Sequence, residues 1–598
     1  MTKDDVAAAL DEIGTLLELK GENDFKCRAY HTAARTISQL DGDLRQLVVS
    51  NRLGEVRGIG EALREKIATL VTTGRLPYLE DLRASLPPGL FDVLMLPGLG
   101  PKKVRALHDQ LGIDSIDKLK AACDAGEVAR LKGFGEKTQA RILEGIAFRD
   151  TVGQRVLLAK AAPLGGALLA RVRALPGVIR AEVCGSLRRR RDTAKDIDIV
   201  ASAADPKPVM DAFVTLPEVV QVTGHGNTKS SVVAAMPWGR GQVVLNADLR
   251  VVTDEQFPVA VLHFTGSQAH NIRLRQRAID RGLLLNEYAL AGTDGTVPCR
   301  TEADVYAALG LAWTPPELRE DTGEIEAAEQ GTLPTLVEVA DVRGVFHNHT
   351  TASDGTASVE EMARAAERLG LEYVGIADHS QSLTVANGLS PERVRRQWAE
   401  IDEVNAKLKG VRVLKGTECD ILEDGRLDFP DDLLAGFDYV VASVHSHFGL
   451  DEAAQTERVC RALAHPAVTM LGHATGRLLL RRPGYKLDLE RVIRTAAEHG
   501  KMIEINAQPD RLDLDWTWVK RAKAAGVTLV INPDAHDPES LGYYVYGVDV
   551  ARRGWLTKAD VFNSRSAKEV VAELARRKGT WGGSSGALTA PTHHPATA

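Results

Sequence analysis

Cysteine is scarce in this chain and shows no metal-site or disulfide spacing. The six residues, at 27, 123, 184, 299, 419 and 460 of 598, include no Cys-x-x-Cys pair. They read as reduced thiols of a cytoplasmic protein, not as a disulfide framework or a thiolate zinc site. No apolar run approaches the ~18 residues that span a bilayer. The N-terminus is charged and helical, unlike a signal peptide, so no membrane partner is expected. Net positive charge is missing too: the formal charge is −7. That weighs against nucleic acid only as an average, because carboxylates that hold metals add charge without facing a partner. The run Arg188 to Arg191 stands against the average as a local basic patch.

The chain is long enough for several domains, and its pattern predicts a multidomain α/β protein. Residues 2–82 show helical periodicity broken by polar turns, and 86–150 continue as helix-turn-helix units. Strand character begins at Ile179-Arg-Ala-Glu-Val-Cys, returns at Ile197-Asp-Ile-Val, and recurs from Gln242 to Val252; helix follows over Gln268–Arg281. Residues 315–338 are rich in Pro and Glu with little periodicity, which suits a linker. From about 341 to 575 short apolar strands alternate with amphipathic helices such as 358–369 and 489–498, the pattern of a βα barrel. The Gly/Ser/Thr/Pro-rich end, with His593 and His594, is expected to be disordered.

One short repeat occurs three times: Gly58-Ile-Gly60, Gly98-Leu-Gly100 and Gly133-Phe-Gly135, each running into a helix. Glycines at a helix start let the backbone turn tightly and leave N–H groups free to hold a phosphate. Lys102, Lys103 and Lys137 follow directly and add charge. These repeats resemble helix-hairpin-helix motifs, which grip nucleic-acid backbones without reading sequence.

A carboxylate trio comes next. Alternation along a strand puts Asp196 and Asp198 on one face, and Asp248 sits in another alternating strand. Side-by-side carboxylates repel, and divalent cations relieve the repulsion. Three of them can hold two Mg²⁺ ions about 4 Å apart for in-line phosphoryl transfer. Gly185-Ser186 opening a helix would hold a triphosphate, assisted by Arg189.

The last 260 residues carry nine further candidate ligands: His347, His349, Asp354, His379, Glu418, His445, His473, Asp534 and His536. They fall in clusters after apolar strands, as ligands do at the C-terminal ends of barrel strands. Imidazole with carboxylate suits Mn, Zn or Fe. Such a centre would make water nucleophilic and clamp a phosphate oxygen. Arg477 and Arg481, after His473-Ala-Thr-Gly, are candidate phosphate contacts, and His499 reads as a helix C-cap.

Gly-Ser, then Asp-x-Asp ten residues on, then a later strand Asp, resembles the nucleotidyltransferase palm of the X-family DNA polymerases. His263-Phe-Thr-Gly-Ser267 through Asn271, with Asn286-Glu-Tyr288, is similar to that family's thumb. The resemblance implies that Ser186 and Arg189 contact the triphosphate with Gly185, that Phe264 and Gly266 face the sugar, and that Asn271 meets the base edge. Arg275 is a candidate minor-groove contact. The palm would use Mg²⁺ or Mn²⁺, with Asp248 as base for the primer 3′-hydroxyl. Phe25-Lys26-Cys-Arg-Ala-Tyr30 resembles the family's lyase domain, implying that Lys26 and Tyr30 bind the 5′-phosphate of a gap and that Lys66 is the Schiff-base lysine. His-x-His with the later Asp-x-His resembles the polymerase and histidinol phosphatase (PHP) family. That implies a distorted barrel holding up to three Mn²⁺ or Zn²⁺ ions: His347, His349, Glu418 and Asp534 for one; Glu418, His445 and His473 for the second; Asp354, His379 and His536 for the third.

Together these imply a bacterial or archaeal X-family DNA polymerase with a PHP domain, filling short gaps in DNA repair and trimming 3′ ends or cleaving abasic sites. Its partners would be gapped or primed DNA and deoxynucleoside triphosphates, bound by a monomer. The implied domains are a lyase-like helical domain (1–85), a helix-hairpin-helix subdomain (86–150), the palm (151–255), the nucleotide-binding thumb (256–315), a linker (316–338), the PHP phosphoesterase domain (339–578) and a disordered tail (579–598). The rival readings are a DNA-tethered PHP phosphatase with a degenerate polymerase module, and a non-catalytic scaffold at DNA ends.

Overall fold

The computed structural model describes residues 3–38, 40, 44–50, 52–56, 58–94, 96, 99–152, 155–239 and 241–582. Gly98 lies outside them, as do His593 and His594. The chain forms two compact units, residues 1–153 with 480–483, and residues 154–479 with 484–598.

The first unit is helical. Lys3–Lys20 and Asp24–Ser38 pair, and Cys27, Tyr30, Ala33, Ala34 and Ile37 of the second helix enter the core at i, i+3, i+4 spacing. One backbone bond recurs in all three repeats: the N–H groups of Ile59, Leu99 and Phe134 donate to the carbonyls of Val56, Leu96 and Leu131 at 3.2, 3.2 and 3.1 Å. The central apolar residue of each is buried and so pins the turn. Gly60 and Gly100 are extended N-caps without a side-chain cap bond, which leaves first-turn N–H donors open.

The second unit begins with a five-stranded sheet in the order Val178–Val183, Asp196–Ala203, Gly241–Val252, Lys229–Trp238, Val219–His225. Its helix Leu158–Arg173 packs its apolar face on the sheet core. Two helices, Phe257–Thr265 and Gln268–Asp280, lead into a small second lobe with its own core. Residues 316–338, expected to be a linker, are folded: Leu318 and Ile325 are buried, and helix Glu324–Gln330 joins the lobe. The segment lacks periodicity because its elements are only one or two turns long.

Seven parallel strands follow in sequence order, Gly344–Val345, Tyr373–Ile376, Arg412–Asp420, Tyr439–Ser443, Met470–Leu471, Met502–Asn506 and Leu529–Asn532. The backbone bridge between Asn348 and Ala535 joins the two ends of the sheet, giving a nearly closed βα barrel. The final helix, Ala567–Gly582, runs past the expected start of the tail at 579. Among the described residues no helix is long and apolar enough to cross a membrane, and all six cysteines are free and buried.

An aromatic cluster of Phe346, Tyr373, Tyr439 and Phe562 fills part of the barrel interior. The Tyr439 hydroxyl donates to the carbonyls of Phe346 and Ile376. Glycine makes the room: a Cβ at Gly416 would stand 2.1 Å from the Tyr439 ring, and one at Gly375 2.2 Å from its hydroxyl. Gly416→Ala and Gly375→Ala should therefore each cost about 1–3 kcal/mol through overpacking. An unshifted denaturant midpoint for both variants would contradict this packing.

Candidate metal centres and nucleic-acid interface

Parallel pairing of Asp196–Ala203 with Gly241–Val252 sets Asp198 opposite Asp248 and Asp196 opposite Asn246. Period-2 alternation then puts Asp196, Asp198 and Asp248 on one face. Burial, then the charges of Asp196 and Asp248, push the Asp198 carboxyl up to about 6. Lys229 Nζ lies 2.7 Å from Asp248, the one cation touching the trio among the described residues. Gly185, at φ +62°, is required here, because a Cβ would stand 2.3 Å from Asp198 Oδ2.

A cleft of about 590 Å³ opens over Asp196 and Asp198, lined among others by Gly185, Ser186, Arg189, Phe264, Gly266 and Asn271. The expected nucleotide-binding residues thus converge on one space. Asn271 donates to the His263 carbonyl at 2.7 Å, while its Oδ1 is buried without a partner. Phe264 lies under the Arg250 guanidinium, 4.5 Å from ring centroid to carbon. Arg275 Nη2 is 3.4 Å from His263 Nδ1. Arg189 lines the cleft, but its Nε donates to Glu320 at 3.1 Å and its Nη1 to the Thr265 carbonyl. The basic patch proves to be paired throughout: Arg188 with Glu302, Arg189 and Arg191 with Glu320, Arg190 with Asp549. Arg188 and Arg189 are drawn into the protein by these pairs, while Arg190 and Arg191 stay exposed, at 49% and 44%.

In the helical unit, Gly58, Gly60, Gly100, Gly133 and Gly135 stand at the turns described, with Lys102 3.0 Å from Asp24 and Lys103 over the Phe134 ring. Lys137 is exposed in the first turn of Gly135–Val152. Lys26 is exposed beside Glu22. Tyr30, read as a 5′-phosphate contact, is a core residue whose phenol burial and Tyr78 raise to about 12. Its helical spacing turns it inward. Lys66 lies over the Tyr78 ring at 5.0 Å, its Nζ 3.2 Å from the Ala62 carbonyl.

The nine barrel residues gather at the C-terminal ends of the strands. Glu418 is central: its carboxylate lies 3.2 Å from His347, 2.9 Å from His379, 3.2 Å from His445 and 2.8 Å from His473. Asp534 is 3.2 Å from His349, and Asp354 lies 3.5 and 3.4 Å from His379 and His536. The sheet-closing bridge at Asn348 and Ala535 brings the first and last clusters together. Asp534 takes the left-handed conformation at φ +52°, strain of the kind tolerated where a side chain must be aimed. Three groupings fit a cation each: His349, Asp354, His379 and His536; His347, His349 and Asp534; and His379, Glu418 and His445. His349 and His379 thus stand between groups that the sequence comparison kept apart.

These residues fit divalent ions on direct grounds. Both Glu418 oxygens, His347 Nε2, both His349 nitrogens and His379 Nδ1 are buried without hydrogen-bond partners, a costly state unless an ion takes them. Burial opposes charge on these imidazoles, yet neighbouring carboxylates push His379 up to about 10 and His445 and His536 to about 9. Burial with the charges of His536 and His379 takes His349 down to about 4.

Two supporting carboxylates escaped sequence reading. Glu504 is fully buried and lies 2.7 Å from His347 Nδ1, and Asp420 accepts from His445 Nδ1. A charged residue inside Met502-Ile-Glu-Ile-Asn, and Asp420 two residues after Glu418, were the available signals. Arg477 corrects an expectation: it is engaged by Asp192 at 3.0 Å, by Asp515 at 3.4 Å and by the Arg511 and Leu512 carbonyls, so it does not face a substrate phosphate. Arg511 instead lines the metal cleft, 3.7 Å from Asp534. His499 is the C-cap of Leu489–Glu498, as expected.

Outer-sphere carboxylates fix the tautomer and basicity of ligating histidines. Glu504→Gln should weaken metal binding to the barrel about 10–100-fold, read by competition with a chelating dye. Wild-type affinity in this variant would remove Glu504 from the account.

Comparison with known proteins follows the same division. Residues 1–76 match a helix-hairpin-helix domain, 91–147 a SAM-like helix-hairpin-helix tandem, 260–320 the DNA polymerase beta thumb and 346–508 the PHP domain. The PHP match stops short of Asp534 and His536, which the Asp-x-His spacing pointed to and the fold brings to the site. The chain is 39% identical to the DNA polymerase/3′-5′ exonuclease PolX of Bacillus subtilis over 96% of its own length and all of that protein. It is 29% identical to a probable phosphatase of Thermoanaerobacter sp. over 39% of its length and 96% of the relative. It is 26% identical to DNA polymerase lambda of Rattus norvegicus over 44% of its length and 48% of that chain. With the full-length match, the carboxylate trio and the barrel ligands all in hand, this chain belongs to the X-family DNA polymerases that carry a C-terminal PHP domain.

Proposed function

We propose that this chain is a DNA-directed DNA polymerase that fills short gaps during repair, and that its barrel is a metal-dependent 3′-5′ exonuclease processing 3′ ends. The observation that carries the first half is the register of Asp198 against Asp248 beneath the Gly185–Ser186 turn. The second half is carried by the buried, unpartnered Glu418 carboxylate among histidines. The rival, a tethered phosphatase with a degenerate palm, is not favoured, because a degenerate palm has no need to keep three carboxylates on one face.

In this reading Asp196, Asp198 and Asp248 hold Mg²⁺ or Mn²⁺. The ions, when bound, neutralise the triphosphate and favour in-line displacement. Lys229 Nζ lies 2.7 Å from Asp248, and Asp248 accepts the proton of the primer 3′-hydroxyl. Gly185 and Ser186 donate to the triphosphate at a helix start, Phe264 and Gly266 face the sugar, and Asn271 meets the base edge. The nine barrel residues hold up to three ions, with Mn²⁺ preferred over Zn²⁺ for a mixed imidazole and carboxylate set. Bound there, the ions would supply a nucleophilic water for attack on a phosphodiester. The helix-hairpin-helix turns and Lys102 hold the DNA backbone, with Lys26 and Lys66 at the 5′-phosphate. The chain acts as a monomer in the cytoplasm.

Primer extension on gapped DNA separates the sites. Asp196→Ala should lose synthesis by about a thousandfold or more and keep 3′ degradation, and His349→Ala should do the reverse. Normal extension by Asp196→Ala would end the palm assignment.

A further inference from the structure

The polymerase lobe and the barrel belong to one compact unit, and a seam of ion pairs joins them. Its centre is Arg553, the last residue of the barrel helix Tyr544–Arg553. The helix C-terminus favours a cation there. Arg553 is 1% exposed and its guanidinium stands over the Trp516 ring at 4.8 Å. Nη1 lies 3.3 Å from Asp192 and Nη2 3.4 Å from Glu320 Oε1. That same Glu320 oxygen accepts the Nε of Arg189 at 3.1 Å, and Oε2 lies 3.6 Å from Arg191. Arg189 in turn donates to the Thr265 carbonyl and lines the nucleotide cleft beside Gly266. On the barrel side Arg477 holds Asp192 at 3.0 Å. Tyr546, on the same helix as Arg553, packs against the palm core.

We propose that Arg553 is a positioning residue for nucleotide addition: through Glu320 it aims Arg189 and holds the Thr265–Ser267 turn over the palm carboxylates. The inference rests on the polymerase reading for its catalytic consequence, but its structural part stands alone. Three arginines converge on Glu320, so the carboxylate is shared. With Arg553 present, Glu320 is anchored to the barrel and Arg189 keeps its place at the cleft wall. Without Arg553, Glu320 loses that anchor and closes on Arg189 and Arg191. The barrel thus serves the polymerase site by supplying one of the three arginines on Glu320, apart from any hydrolysis of its own. Buried, hydrogen-bonded charge pairs have strict geometry, and loss of one partner displaces the other. A misplacement of about 1 Å at a binding group is enough to alter catalysis markedly.

The test uses the full-length chain with Arg553→Met, which keeps bulk on Trp516, and the isosteric Glu320→Gln. Steady-state gap filling should show KM for the incoming nucleotide raised about tenfold in both variants, with kcat changed less than threefold. Hydrolysis of bis(4-nitrophenyl) phosphate by the barrel should stay within twofold of wild type. Hydrogen exchange supplies a readout independent of nucleotide addition: the Ser267 amide, which donates to the Arg319 carbonyl at 3.0 Å, should exchange faster in both variants. Exchange within the strand Tyr439–Ser443 should be unaltered. Wild-type KM and wild-type Ser267 exchange in either folded variant would overturn the proposal. So would equal losses in both activities, which a general loss of stability produces. Should the wild type itself add no nucleotide, the polymerase reading fails, and the Ser267 exchange still decides whether Arg553 holds the turn.

Discussion

A carboxylate sealed from water needs positive charge beside it, and Glu418 is the point where this constraint is most severe. Both of its oxygens are buried without hydrogen-bond donors, inside a ring of histidines. Charge of that kind is stable in a protein interior only when it is paired or coordinated. The barrel satisfies it by bringing ligands from the ends of separate strands to one place. The bridge between Asn348 and Ala535 then makes neighbours of residues nearly two hundred positions apart. The palm solves a milder form of the same problem. Its three carboxylates share a more open face, Lys229 offsets part of their repulsion, and the rest is left for ions that arrive with the nucleotide.

Much of this was legible in the sequence because metal ligation and phosphate binding demand particular residue types at particular spacings. Alternation alone placed Asp196 and Asp198 on one face, and the apolar strands before His347, His379, His445 and Asp534 announced a barrel. The three glycine repeats gave the helical unit its turns. What escaped was set by tertiary packing. Tyr30 has the composition of a surface contact, yet its helical phase carries it into the core. Glu504 and Asp420 support histidines from other strands, a relation that no local spacing records.

Charge was the least readable property. A run of four arginines looks like a nucleic-acid patch, but Arg188 to Arg191 meet Glu302, Glu320 and Asp549, which are more than a hundred residues away. Arg477 followed a ligand histidine and looked like a phosphate contact, yet Asp192 takes it. In both cases folding, not local spacing, brings the acidic partner to the arginine. The stretch 316–338 shows the same effect: its elements are too short to be periodic, but Glu320 and Glu324 within it are fixed points for the lobe.

The account stands on the barrel being a polynuclear metal centre organised by Glu418. Elemental analysis of the purified, desalted chain tests this directly, with Glu418→Ala as the comparison. Two or more equivalents of manganese or zinc per wild-type chain, falling to one or none in the variant, is the expected result. A folded wild-type chain that retains no divalent metal, and takes up none on incubation with Mn²⁺ or Zn²⁺, would contradict it.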